Sequence, residues 1–455
     1  MTIYRATVLD ITDDSPFPAA ALRADEDAGV RVVDGVVTER GAYATVRTAH
    51  PDDAVVDLRP GLLLPGLVDT HVHFPQVRII GGLGMPLLQW LDECALPEEA
   101  RLASVDYARD VAADFVRGLA SAGTTTALVF GSHFAQAVDV LFEEVTRVGL
   151  RITAGLVVSD RSLPEALLTT PERSYADASL LAERWHRPDA RTRYAVTPRF
   201  SYSAGDDLLD ACHRVLKDVP GSWFTSHLNE NPAEIAAVGA RFPTAHHYLD
   251  TYDRHGLVGA TSVFAHNVHP TDDELELLGR SGAAVSHCPA SNSALGSGLF
   301  PLQRHLDHGV RVALGSDVGA GTGFSLFKEG LQAYFVQQLL GEDGTSLTAA
   351  DLLHLATCSG AAALGLGDVV GNLSVGKAFD AVWLRPRAGE PFDVGLRHAT
   401  SPEQALARAF ALATPADIGG VWVAGDRVKA DPVKADPVNA DPVNADPAAG
   451  GLAAS

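Results

Sequence analysis

Residues 62–73 read LLLPGLVDTHVH. The run is apolar almost throughout and ends in two histidines at alternate positions, His71 and His73. A strand this apolar belongs in a sheet buried on both faces, which in practice is a parallel sheet covered by helices. Seven further runs of the same kind follow. They are GTTTALVFG (123–131), RITAGLVVSD (151–160), RTRYAVTPRF (191–200), SWFTSHLNE (222–230), TSVFAHNVH (261–269), GAAVSHCP (282–289) and RVALGSD (311–317). Longer stretches of helical composition separate them. Eight such units over about 250 residues predict an α/β fold, a (β/α)8 TIM-type barrel, with an open doubly wound sheet as the competing arrangement.

The strand ends favour the barrel. His71, His73, Arg199, His227, Glu230, His266, His287 and Asp317 all sit at or just past the ends of these runs. Generic strand ends carry Asn, Asp, Gly and Ser instead. In a barrel the C-terminal strand ends share one mouth, so residues distant in sequence can form one site. Side chains at alternate strand positions face the same way, so His71 and His73 can bind one ion. With His227, His266 and Asp317 they make a candidate set of imidazoles and one carboxylate, which suits Zn²⁺ or Fe²⁺. Four strong ligands (His71, His73, His227, Asp317) leave room for a water that the metal can activate. Glu230, three residues after His227, is placed to shuttle a proton. The fourth run ends YAVTPRF without a lysine that a carbamate would need to bridge two ions, so one metal is expected. No phosphate loop and no Gly-x-Ser-x-Gly elbow appears. His287 is expected to support the site rather than bind the ion, and His133 to be structural. His246 and His247 are neighbours in a helical stretch and diverge.

Around the barrel, 61–371, lie two β-rich flanks, 1–60 and 372–428. Each is too small for a core of its own, so together they are expected to form one small β-sandwich domain from both chain ends. From 429 to 455 the unit ADPV recurs with regular proline and few large apolar side chains, which reads as a disordered tail. The insertion at 74–122 follows the first strand and is a candidate lid over the mouth. The 455 residues carry 35 Lys+Arg against 57 Asp+Glu, a net charge of −22. That argues against nucleic acid and against an anionic membrane surface as partners. Four scattered cysteines, no apolar run long enough to span a bilayer and no signal-peptide pattern fit a cytoplasmic protein.

The segments PGLVDTHVH, SH-x-x-E, AH, HCPASN and GSD, in that order, resemble the metal-dependent amidohydrolase superfamily over about residues 60–380. Within it, HFPQ (73–76), MPLLQWL (85–91), TPRF (197–200), SHLNEN (226–231) and ALGSDVGAGTGFSLF (313–327) resemble the guanine deaminase family. The resemblance implies one divalent metal, Zn²⁺ with Fe²⁺ as the alternative, on His71, His73, His227 and Asp317. It leaves His266 either as a further ligand or as a group that orients the hydroxide. It implies Glu230 as the proton shuttle with Asp317 beside it, and Gln76, Arg199, Phe200 and His227 as contacts to the purine. The implied reaction is hydrolysis of guanine to xanthine and ammonia, in purine catabolism or salvage, by a homodimer. The alternatives are a deaminase of another aminated heterocycle (8-oxoguanine, a pterin, a triazine or cytosine) and, remotely, a non-catalytic barrel scaffold.

Overall fold

The computed structural model describes residues 1–188 and 190–429. Apart from Lys429, the ADPV-repeat tail expected at 429–455 lies outside the described residues. A parallel sheet runs in the order Leu67–His73, Thr124–Phe130, Arg151–Gly155, Thr192–Pro198, Trp223–Leu228, Ser262–His266, Ala284–His287 and Arg311–Leu314. A ninth short piece, Val157–Val158, continues the third strand and pairs with the fourth. Nearly every residue of these strands is buried, as the apolar runs require.

The last strand meets the first. Asp317 N donates to the His71 carbonyl at 2.9 Å, and His73 N donates to the Val318 carbonyl at 3.0 Å. Side chains reinforce this seam: Thr70 Oγ1 donates to the Leu314 carbonyl at 2.8 Å, and Asp69 accepts from Ser316 N at 3.0 Å and from Ser316 Oγ at 2.5 Å. Gly315 permits the approach. A Cβ there would stand 2.8 Å from the His71 Cβ and 2.5 Å from Ser286 Oγ. The seam is therefore closest at the residues that carry the candidate ligands.

The outer faces of the strands pack under the helices in one large apolar cluster that includes Phe115, Phe142, Leu208, Phe264 and Phe327. The helix Val105–Ser121 begins at its Ser104 cap, whose side chain accepts from Tyr107 N. A second cluster, with Val68, Leu128, Val263 and Ala313 against Ala361, Leu364 and Val370, plugs the barrel at the end away from the strand C-termini.

Both chain ends enter one mixed seven-stranded sheet, ordered Asp426–Lys429, Ile418–Val423, Ala381–Leu384, Ala54–Pro65, Thr2–Ile11, Leu22–Val33 and Val36–Ala42. The strand Ala54–Pro65 leads through Gly66 directly into the first barrel strand. The C-terminal flank is not all β. Pro391–Arg397 and Pro402–Leu412 are helices. Ser401 caps the second by accepting from Gln404 N, and its buried stripe of Ala405, Leu406, Ala409 and Phe410 packs on the barrel side, with Phe410 5.3 Å from Phe327. Period-3.6 patterning, not alternation, governs that stretch. Among the described residues no helix is long and apolar enough to cross a membrane.

Asp10 ties the two chain ends together. Its buried carboxylate accepts from Arg23 Nη2 at 2.6 Å, Arg40 Nη1 at 2.8 Å and Leu373 N at 2.9 Å. Burial pushes its pKa up, but the hydrogen bonds and charges of Arg23 and Arg40 outweigh burial and hold it below the usual carboxylate range. A depressed folded-state pKa stabilises above the unfolded value of about 3.9 and loses that contribution as pH falls through the folded value. Asp10→Asn should therefore cost about 3 kcal/mol at neutral pH. Denaturant titrations should show the gap between variant and wild type narrowing below about pH 4. A gap independent of pH would mean the carboxylate's charge is not what ties the ends.

Candidate active site

Four side-chain atoms converge at the strand ends. His73 Nε2 lies 3.2 Å from His71 Nε2, 3.2 Å from His227 Nε2 and 3.2 Å from Asp317 Oδ1, and His71 Nε2 lies 3.3 Å from the same oxygen. A tetrahedral shell with bonds of about 2.1 Å has edges of about 3.4 Å, so these spacings bring the atoms within reach of a shared ion, with His71, His73 and Asp317 in one such group and His71, His227 and His266 in another. The donors also have the right protonation. Burial lowers the pKa of His71, and lowers that of His73 to about 4, so both rings are neutral near pH 7. Burial raises the Asp317 carboxyl, but hydrogen bonds from His71 and His73 outweigh it and hold the group well below its ordinary range. Neutral imidazoles and an ionised carboxylate are the forms that bind a cation. His227 Nδ1–H donates to the Arg199 carbonyl at 2.6 Å, which leaves its Nε2 lone pair on the cluster.

Backbone strain aims two of these groups. His266 has φ 73° and Asp317 has φ 47°, both in the left-handed region that non-glycine residues avoid at a cost of about 1–3 kcal/mol. His266 Nδ1 donates to Asn292 Oδ1 at 2.9 Å. Its Nε2 has no hydrogen-bond partner and stands 3.5 Å from Glu230 Oε2 and 3.8 Å from Asp317 Oδ2. It thus faces the carboxylates beside the four-atom cluster, although it also falls within reach of an ion shared with His71 and His227.

The cluster opens into a small, partly open cavity lined by Gln76, Arg199, Phe200, Glu230, His266 and Asp317, with Leu87, Trp90, Leu91 and Leu295 on its apolar side. Leu87, Trp90 and Leu91 come from the insertion after the first strand, which walls the mouth. Burial first, and the charge of Asp317 second, push the Glu230 carboxyl up to about 8. Ser297 Oγ donates to Glu230 Oε1 at 3.3 Å.

Residues outside the expected set take part. Glu99, buried on the short helix Leu96–Ala100, bonds Arg199 and Gln76. His133 Nδ1 lies 3.4 Å from Glu99, so its surroundings are those of the site rather than of the core alone. The signal for Glu99 was a carboxylate in the apolar run CALPEEA; nothing in the sequence separated it from Glu98, which bonds Tyr107 and Arg101 instead. Asn292 and Ser297 lie in the segments HCPASN and GSGLF, whose side chains could not be aimed from sequence. His287 stacks on Phe300 at 4.2 Å, with His305 on Phe300 at 4.3 Å, and does not line the cavity. His247 lies near Glu274, far from the cluster in the fold.

Comparison with known proteins agrees with this geometry. The model of the amidohydrolase family matches residues 62–428. The probable guanine deaminase of Deinococcus radiodurans is 59% identical over 431 residues, covering 93% of this chain and 98% of that one. The solved structure of Escherichia coli guanine deaminase superposes with a TM-score of 0.91 at 37% identity, covering 94% of this chain and all of that one. Guanine deaminase from C. acetobutylicum, solved with guanine in its active site, gives 0.86 at 27% identity over 94% and 99% of the two chains. The chain belongs to the amidohydrolase family and, within it, to the guanine deaminases.

Proposed function

We propose that the protein hydrolyses guanine to xanthine and ammonia, using one divalent metal on His71, His73, His227 and Asp317. The observation that carries the reading is one cavity shared by that donor cluster, the raised carboxyl of Glu230 and the polar pair Arg199 and Gln76. Three imidazoles and one carboxylate favour Zn²⁺, with Fe²⁺ as the alternative. When bound, the metal lowers the pKa of a water toward neutrality and so supplies the nucleophile.

The protein's own groups do the rest. Oxygen from water adds at C2 of the purine. Glu230 takes a proton from that water and delivers it to ring N3, then passes the second proton to the exocyclic amine, which leaves as ammonia while C2 becomes a carbonyl. A carboxyl near pKa 8 both gives and takes protons at working pH. Asp317 stays ionised beside it. His266 Nε2, an acceptor because Nδ1 donates to Asn292, orients the attacking water. Arg199 donates to purine acceptors, Gln76 both donates and accepts along the ring edge, and Phe200 packs on the ring. A site with such fixed donors rejects adenine, whose edge offers a donor where guanine offers a carbonyl. A reducing cytoplasmic location and a homodimer complete the reading. The first rests on four free cysteines and the second on the family resemblance.

Ultraviolet absorbance with ammonia measured in parallel should show stoichiometric conversion of guanine to xanthine. Turnover of 8-oxoguanine, a pterin or cytosine in its place would move the substrate and keep the hydrolase. Glu230→Gln should retain fold and metal and lose at least about 10²-fold in kcat; a near-normal rate would remove Glu230 from the proton path. Arg199→Ala should lower kcat/KM for guanine by about 10–100-fold, the worth of a charged hydrogen bond, with metal content unchanged. Lost metal would make Arg199 a support for His227 instead.

A further inference from the structure

Glu99 does not line the cavity, yet it bonds two residues that do. Its Oε1 accepts from Gln76 Nε2 at 2.8 Å and from Arg199 Nη1 at 2.8 Å, and its Oε2 accepts from Arg199 Nη1 at 2.6 Å. Both bonds to Arg199 leave from one nitrogen, so the Nε and Nη2 hydrogens of the guanidinium are not spent on Glu99. Gln76 is held from two sides: its Nε2 donates to Glu99, and its Oε1 accepts from Gly319 N at 3.0 Å. A carboxylate only accepts and a backbone N–H only donates, so one amide orientation satisfies both. Burial pushes the Glu99 carboxyl up, but the charge of Arg199 and the bond to His133 outweigh it and keep the group anionic.

We propose that Glu99 is the positioning residue that sets which ring edge the site reads. It fixes Arg199 as a donor and Gln76 in a single orientation without touching substrate. The ligand's identity rests on the guanine reading; the network does not. Without the carboxylate, the Gln76 amide is held from one side only, by Gly319 N, and the Arg199 fork loses its anchor. The loss then falls on binding and orientation of the heterocycle rather than on proton transfer.

The test compares kcat, KM, metal content and Tm of the full chain for Glu99→Gln, Glu99→Asp, Arg199→Met and the double variant Glu99→Gln/Arg199→Met. Glu99→Gln should raise KM for guanine at least about tenfold, with a smaller fall in kcat, with wild-type metal content and with a lowered Tm, because the buried Arg199 guanidinium loses its partner. In the Arg199→Met background the same change should cost clearly less, only the share that acts through Gln76. Glu99→Asp, which keeps the charge on a shorter stem, should recover part of the loss. A wild-type KM in Glu99→Gln, a loss undiminished in the Arg199→Met background, or a loss confined to kcat and tracking lost metal would each overturn the proposal. Should Glu99→Gln fail to fold, Glu99→Asp decides by the same KM comparison. Calorimetric affinity for xanthine reads the network without turnover. If the wild type turns over another aminated heterocycle and not guanine, the substrate reading fails, and the same comparison on that heterocycle still decides the role of Glu99.

Discussion

His73 Nε2 stands about 3.2 Å from two other imidazole nitrogens and from a carboxylate oxygen, and such lone pairs repel one another unless a cation stands between them. The barrel exists to hold that arrangement. His71 and His73 come from the first strand, His227 from the fifth, and Asp317 from the turn after the last. The seam between last and first strands is pinned by backbone bonds at the very residues that carry ligands, Asp317 N to His71 O and His73 N to Val318 O. Gly315 exists at that seam because a Cβ would strike His71. Closing the barrel and building the donor cluster are thus one event, and the strained backbone at Asp317 and His266 is the local cost.

Around this centre the charges are sorted. Acceptors and neutral rings gather on the metal side, and the one buried guanidinium of the cavity sits across it. Arg199 is neutralised from behind by Glu99 and linked in front to the donor cluster, because its own carbonyl fixes the tautomer of His227. One strand end therefore carries both a candidate substrate contact and the support of a candidate ligand. Glu230 is the exception to this sorting: a carboxyl with no side-chain cation bonded to it, pushed up to about 8 by burial first and the charge of Asp317 second.

Much of this was legible in the sequence because the barrel maps strand ends to one mouth. Apolar runs of seven to twelve residues pointed to the strands, and the rare histidines at their ends pointed to the candidate ligands. What eluded the reading has a common physical cause: these residues act at points that periodicity does not fix. Glu99 reaches the site from an irregular stretch of mixed helical turns, and its neighbour Glu98 looks equivalent in sequence but faces Tyr107. Asn292 and Ser297 act from loops whose backbone direction no local pattern encodes. The two helices within 391–412 were masked by the β-like pieces on either side, although their apolar spacing was helical.

The proposed site holds a single ion on the strand ends of one barrel. An anomalous-scattering map at the zinc edge, with metal content measured on the same crystals, tests it most directly. One peak per chain, bonded to His71, His73, His227 and Asp317, is the predicted result. Two peaks, or one peak on other residues with the four donors unbound, would contradict it.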